Sequence, residues 1–173
     1  MAIDATIAGE NSNSYITLDE ANEYAAERGH ADWEDLDDEE KIAALVNAAE
    51  FLDNQYGKRF SGRKATAEQY LQFPRLQMAG IIDRKDEFGE FILTIPRKVK
   101  YAQMELALAY LEKDNTFYSG IEDRGLKSFT NSVGPLMEQK QYFSGASGYE
   151  TYTSRVNNML NEFLMSGTFV YRV

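Results

Sequence analysis

The side chains best suited to ligand chemistry lie in one short stretch, GKRFSGRK, which we call the basic loop (residues 57–64). It holds four cations and one aromatic ring but no acid. Cations interleaved with an aromatic ring can hold a phosphate backbone and stack a base. The same charges could instead stay solvated, pair with acids of a neighbouring subunit, or contact an acidic partner protein. The candidate contact residues are Lys58, Arg59, Phe60, Arg63 and Lys64.

Catalytic and metal-binding motifs are not found in the sequence. The chain has no cysteine and a single histidine, His30, which argues against a zinc site and removes thiol chemistry. It also lacks a phosphate-binding P-loop, a G-x-S-x-G elbow and an H-E-x-x-H pair. A catalytic pair of carboxylates, one acting as acid and one as base, is compatible with the sequence, but no particular pair can be identified from it. We therefore expect no enzyme, with no catalytic residue, no metal and no cofactor.

The charge of the chain is uneven. Its net charge of −10 means that the molecule as a whole is not steered toward nucleic acid, so any contact with a polyanion must be local. Seven acids crowd residues 32–40, DWEDLDDEE. Their simplest interpretation is the first turn of a helix, where the helix dipole favours negative charge.

Two amphipathic helices are predicted in the first third of the chain. The pair Thr17 and Glu20 forms a T-x-x-E capping box at the start of the first helix, and Gly29 is a typical residue just beyond its end. A second helix begins near Asp37 and keeps an apolar stripe to about Asn54.

The helix predicted over residues 96–113, PRKVKYAQMELALAYLEK, is apolar on two sides. A surface helix has one apolar stripe, whereas a helix with two is packed between two layers. The second face could therefore pack on the chain's own elements or meet another subunit. The candidate subunit interface consists of Tyr101, Met104, Leu108 and Leu111.

The last third of the chain predicts a β-hairpin and a final helix. Two extended runs flank Gly134-Pro135 within residues 126–143, and the small polar residues 144–150 form a flexible joint. A helix over residues 151–165 then presents its own apolar stripe, which suits docking on a partner. The candidate docking residues are Tyr152, Val156, Met159, Leu160 and Phe163.

The predicted fold class is mainly α, a bundle of about four helices with a β-hairpin and a mobile C-terminal helix. No apolar run approaches the roughly 20 residues that span a bilayer, and the start of the chain lacks the features of a signal peptide. We expect synthesis in the cytoplasm and no membrane contact. The predicted segments are an extended arm (1–14), the bundle core (15–122), the hairpin with its joint (123–150) and the docking helix with its tail (151–173).

Several stretches between residues 12 and 136 together resemble a family of tailed-phage proteins labelled DnaT-like single-stranded-DNA-binding proteins. In helical architecture and gene neighbourhood that family is similar to head–tail connector or adaptor proteins. Where the family usually has tryptophan, this chain has Phe60 and Phe73. The stretches that carry the resemblance are Asn13-Ser14-Tyr15, Glu20-Ala21, AAEFLD (48–53), YGKRFSGR (56–63), Gln69, Leu71, FPR (73–75), IPRKVK (95–100) and VGPL (133–136).

The resemblance implies a structural protein of the virion, assembled in the host cytoplasm and located at the head–tail junction. Its expected partners are the portal protein, a tail or nozzle component and further copies of itself, in an expected ring of twelve subunits. DNA would pass through the acidic lumen without specific binding. The alternative function is binding of single-stranded DNA by the basic loop, which predicts that Lys58, Arg59, Arg63 and Phe60 are exposed together and that binding weakens steeply with salt.

Overall fold

The computed structural model describes residues 2–111, 126–132, 137–142 and 152–165, and for the two later strands and residues 152–154 only the backbone. The fold is mainly α with an antiparallel hairpin near the C-terminus, as predicted. The helices are α1 (Leu18–Arg28), α2 (Ala31–Glu34), α3 (Asp38–Tyr56), α4 (Arg97–Leu111) and α5 (Tyr152–Leu160). The strands are β1 (Arg63–Lys64), β2 (Arg75–Leu76), β3 (Leu126–Ser132) and β4 (Met137–Tyr142).

The starts of α1 and α3 follow from their capping residues. The side chains of Thr17 and Asp37 each accept a hydrogen bond from the backbone N–H three residues later. The carboxylates of Glu20 and Glu40 in turn accept a hydrogen bond from the backbone N–H of the capping residue. Gly29 ends α1 in the left-handed conformation, with a φ of 69°. The capping box at Thr17 and the start of a helix near Asp37 were predicted, because the residues that form each cap are neighbours in sequence.

Helix α4 is the centre of the fold and packs between α3 and α5. Met104 and Leu108 are buried within the chain, and Tyr101 and Leu111 pack against the same core. The second apolar face therefore lies on the chain's own elements. The expectation that Tyr101, Met104, Leu108 and Leu111 form a subunit interface is wrong for the two buried residues, because no partner can reach them.

Helix α5 belongs to the same hydrophobic core. Val156 and Leu160 are fully buried, and Phe163 follows them in a short 3₁₀ turn, Asn161–Phe163. Outside the apolar contact, Tyr56 Oη donates to Asn157 Oδ1 at 2.8 Å. The expected docking residues Val156, Leu160 and Phe163 thus bind the chain itself, with Met159 packed beside them, rather than a partner.

Other predicted features lie outside the described residues. These are the side chain of Tyr152, the Gly134-Pro135 turn, the joint at 144–150 and the boundaries near residues 122 and 150, which stay predictions. No helix in the described part of the chain is long and apolar enough to cross a bilayer.

Removing the Leu160 side chain should show how strongly α5 is attached. We expect Leu160→Ala to lower the free energy of unfolding by about 2–5 kcal/mol, because it leaves a cavity where the side chain is fully buried. Asn158→Ala on the exposed side of the same helix should change it by less than about 0.5 kcal/mol. Urea denaturation measures both, and equal stabilities for the two variants would contradict the docked position of α5.

Candidate functional site

The basic loop leaves the end of α3 directly. Residues Gly57–Arg59 make one 3₁₀ turn, and the chain then becomes extended and enters β1. Lys58, Arg59 and Arg63 are exposed, and Lys64 is half-buried. The loop therefore presents three cations to solvent and a fourth close to the surface, as an electrostatic contact with a polyanion requires.

Phe60 does not lie on this surface. Its ring is only 2% exposed and meets the ring of Phe73 edge to face, with 4.8 Å between centroids. Phe163 packs on the other side of Phe73 at 6.0 Å. The expectation that Phe60 stacks a base beside the cations is therefore wrong, because this side chain belongs to the aromatic core.

Arg75 fixes the backbone of the basic loop from inside. Its Nε donates to the carbonyl of Ser61 at 2.8 Å, and Nη2 donates to the carbonyls of Gly62 at 2.8 Å and Phe60 at 3.3 Å. Burial lowers the pKa of Arg75, an effect opposed by nearby Asp53. This guanidinium binds three successive carbonyls, so it holds the loop's shape rather than a ligand.

Gly62 is required where the loop passes close to β2. Its φ is +70°, and a Cβ at this position would lie 2.3 Å from the carbonyl oxygen of Leu76. Only glycine adopts this conformation readily and allows so close an approach.

The chain segment after α5 closes the other side of the loop. Ser61 N donates to the carbonyl of Phe163 at 2.8 Å, and Met165 N donates to the carbonyl of Arg59 at 2.7 Å. Between these bonds, Phe60 and Leu164 form an antiparallel bridge. The basic loop is thus held on both sides by residues distant in sequence.

Asp53 connects the chain segment around Gln72, close to the basic loop, with the N-terminal segment that contains Tyr15. Its carboxylate accepts hydrogen bonds from the hydroxyl of Tyr15 and from the backbone N–H of Gln72, the latter at 2.9 Å. Burial raises the pKa of Asp53, although these bonds and the charges of Lys64 and Arg75 oppose it. Burial and the Asp53 charge likewise raise the pKa of Tyr15 well above its ordinary value.

Tyr70 is an exposed aromatic residue that is not among the candidate contact residues predicted from the sequence. Its side chain is 69% exposed, and its backbone N–H donates to the carbonyl of Gly9 at 3.1 Å. Lys64 Nζ donates to the carbonyls of Gln69 at 3.1 Å and Tyr70 at 3.0 Å. The backbone of Tyr70 is therefore in contact with a cation of the basic loop. A sequence signal exists only in retrospect: Tyr70 stands among polar residues in ATAEQYLQ.

A cleft lies between α1 and α4, away from the basic loop. This cleft of about 300 Å³ is lined by acids of α1, cations at the start of α4, and the rings of Tyr24 and Tyr101. The two signs of charge face each other across it, and Lys100 already pairs with Glu20 at 2.5 Å. Its mixed charge suits a phosphate backbone less well than the acid-free basic loop. Among the described residues, no group of three or more potential metal ligands occurs.

Comparison with known proteins bears on the whole chain. A family model described as “Putative DnaT-like ssDNA binding protein” matches residues 1–173. No curated protein matches, and no solved structure matches. The family match corrects the main functional expectation, a head–tail adaptor in a ring under the portal. It points to DNA binding, and nothing in it supports a portal or tail partner.

Replacing Arg75 tests its role as the internal support of the loop. We expect Arg75→Met to lower the free energy of unfolding by about 2 kcal/mol, because three carbonyls lose a charged donor while the aliphatic stem is kept. Arg63→Met is the matched control, since Arg63 is exposed and donates only to Gln77 at 3.4 Å among the contacts described. If both variants unfold at the same urea concentration as the wild type, Arg75 does not support the loop.

Proposed function

The chain belongs to the family of DnaT-like ssDNA binding proteins, and from that premise we propose that it binds single-stranded DNA through the basic loop. The observation that carries the proposal is the family match over residues 1–173. Binding involves no catalysis, and the loop cations Lys58, Arg59, Arg63 and Lys64 contact phosphates.

The acidity of the chain does not prevent such a contact. The net charge is −10, but at physiological salt a charge is largely screened beyond about 8–10 Å in solvent. The basic loop contains four cations and no acid over residues 57–64. A bound strand therefore interacts mainly with these cations, and distant acids weaken the binding without abolishing it.

The hydrogen bonds that hold the backbone of the basic loop also favour binding. Arg75 and the segment around Phe163 already hold its backbone, so little chain entropy is lost when a ligand arrives. The side chains of Lys58 and Arg59 remain exposed. Rigid backbone with solvent-facing cations is a suitable combination for a contact that depends on charge and not on base sequence.

Another exposed pair of cations offers a comparison. Arg84 and Lys85 lie in the segment 83–90, which also contains Asp83, Asp86, Glu87 and Glu90. The acids outnumber the cations there, so phosphates are repelled. This difference favours the basic loop and provides a control with the same change in net charge.

The test is the salt dependence of binding to oligo(dT), measured by fluorescence anisotropy. We expect Lys58→Gln/Arg59→Gln to reduce the slope of log K against log salt by about 1.4, since each phosphate contact on a single strand contributes about 0.7. If the electrostatic contribution to the binding free energy vanishes at ~1 M salt, the affinity of this double variant in ~0.1 M salt is roughly 25-fold lower than that of the wild type.

The matched control is Arg84→Gln/Lys85→Gln, which also removes two positive charges. Its slope should equal that of the wild type, because those cations lie among acids and not in the basic loop. Equal losses in the two double variants would show a general charge effect and exclude the basic loop as the site. A wild-type protein without salt-sensitive binding would refute the proposed function itself.

A further inference from the structure

We infer that Tyr70 is the base-stacking residue of the DNA site, an inference that rests on the proposed function. In proteins that bind single strands without sequence preference, cations follow the backbone and aromatic rings stack the bases. The basic loop supplies the cations. Its own aromatic residue, Phe60, is buried in the core, so the stacking ring must come from another part of the chain.

The exposure of Tyr70 sets it apart from the aromatic residues around it. Tyr56, Phe60 and Phe73 are each at most 2% exposed, whereas Tyr70 is 69% exposed. A ring this exposed contributes little to the core. Its flat face is free to receive a base, and every base has such a face.

The backbone of Tyr70 is fixed next to a cation. Its N–H donates to the carbonyl of Gly9, and its own carbonyl accepts from Lys64 Nζ at 3.0 Å. A nucleotide carries its phosphate and its base on one sugar. A cation bonded to the backbone of a residue whose ring is exposed can therefore engage the phosphate of a nucleotide while the ring receives its base.

Among the described residues, Phe88 is a more exposed aromatic residue than Tyr70, but its surroundings argue against a stacking role. It is 82% exposed, but Asp86, Glu87 and Glu90 lie within two residues of it. These carboxylates repel the phosphates that must accompany any stacked base. Of these two residues, Tyr70 combines an exposed ring with a backbone carbonyl that accepts a hydrogen bond from Lys64 of the basic loop.

Alanine substitution provides the first test. We expect Tyr70→Ala to weaken oligo(dT) binding about 5- to 150-fold, the range found for removal of one stacking ring. Tyr70→Phe keeps the ring and should bind like the wild type, and Phe88→Ala should also leave affinity unchanged. The substitutions are made at exposed side chains, and the backbone bonds of residue 70 do not depend on its ring.

A strand without bases separates stacking from charge. An abasic oligonucleotide of the same length should bind the wild type more weakly than oligo(dT), but should bind Tyr70→Ala and the wild type equally. Tyr70→Trp adds a direct signal, since the one native tryptophan, Trp33, is buried. Its fluorescence should be quenched by oligo(dT) and not by the abasic strand.

The outcomes distinguish this inference from the proposed function. If the wild type binds DNA with the expected salt dependence but Tyr70→Ala binds equally well, the stacking role is refuted and the DNA site stands. If the wild type does not bind DNA at any salt concentration, both the site and the stacking role are refuted.

Discussion

The buried side-chain amide of Gln103 is the interaction that the rest of the fold depends on. It is fully enclosed, and its polar atoms are satisfied: Oε1 accepts from Tyr15 N at 2.8 Å, while Nε2 donates to Ser14 Oγ and to the carbonyl of Leu45. A buried amide without partners is strongly destabilising, so these bonds select one arrangement of the N-terminal segment, α3 and α4. With Tyr15 placed in this way, its hydroxyl reaches Asp53, and support extends from the centre of the bundle to the basic loop.

Cations in and around the basic loop have different roles, according to their hydrogen-bond partners. Arg75 is half-buried and binds three of the loop's carbonyls, whereas Lys58 and Arg59 are exposed to solvent. Lys64 is also half-buried and donates to the carbonyls of Gln69 and Tyr70. Arg75 thus shapes the backbone that carries the exposed cations. Charge alone therefore does not identify the residues available to a ligand.

Local features of the fold were predictable from the sequence, and long-range ones were not. The capping residues Thr17 and Asp37 lie next to the helices that they start, and the two apolar faces of α4 are visible in its periodicity. Whether the second face packs on the chain's own elements or on another subunit is decided by residues distant in sequence, such as Tyr24 beside Tyr101, which periodicity does not specify. The same limit explains the candidate site: Phe60 is buried by Phe73 and Phe163, while Tyr70 is left exposed. Neither outcome follows from the neighbours in sequence.

The closure of the core by α5 has a consequence for the order of events during synthesis. Leu160 and the carbonyl of Phe163 are synthesised about a hundred residues after the basic loop, yet they complete the core and bind the loop at Ser61. Until then, α3 and α4 have exposed apolar surface and the loop lacks one side of its support. Nascent chains with such surface are prone to aggregation and are typical clients of chaperones. The native basic loop thus forms only after α5 and the residues that follow it have left the ribosome, about a hundred residues later than the loop itself is made.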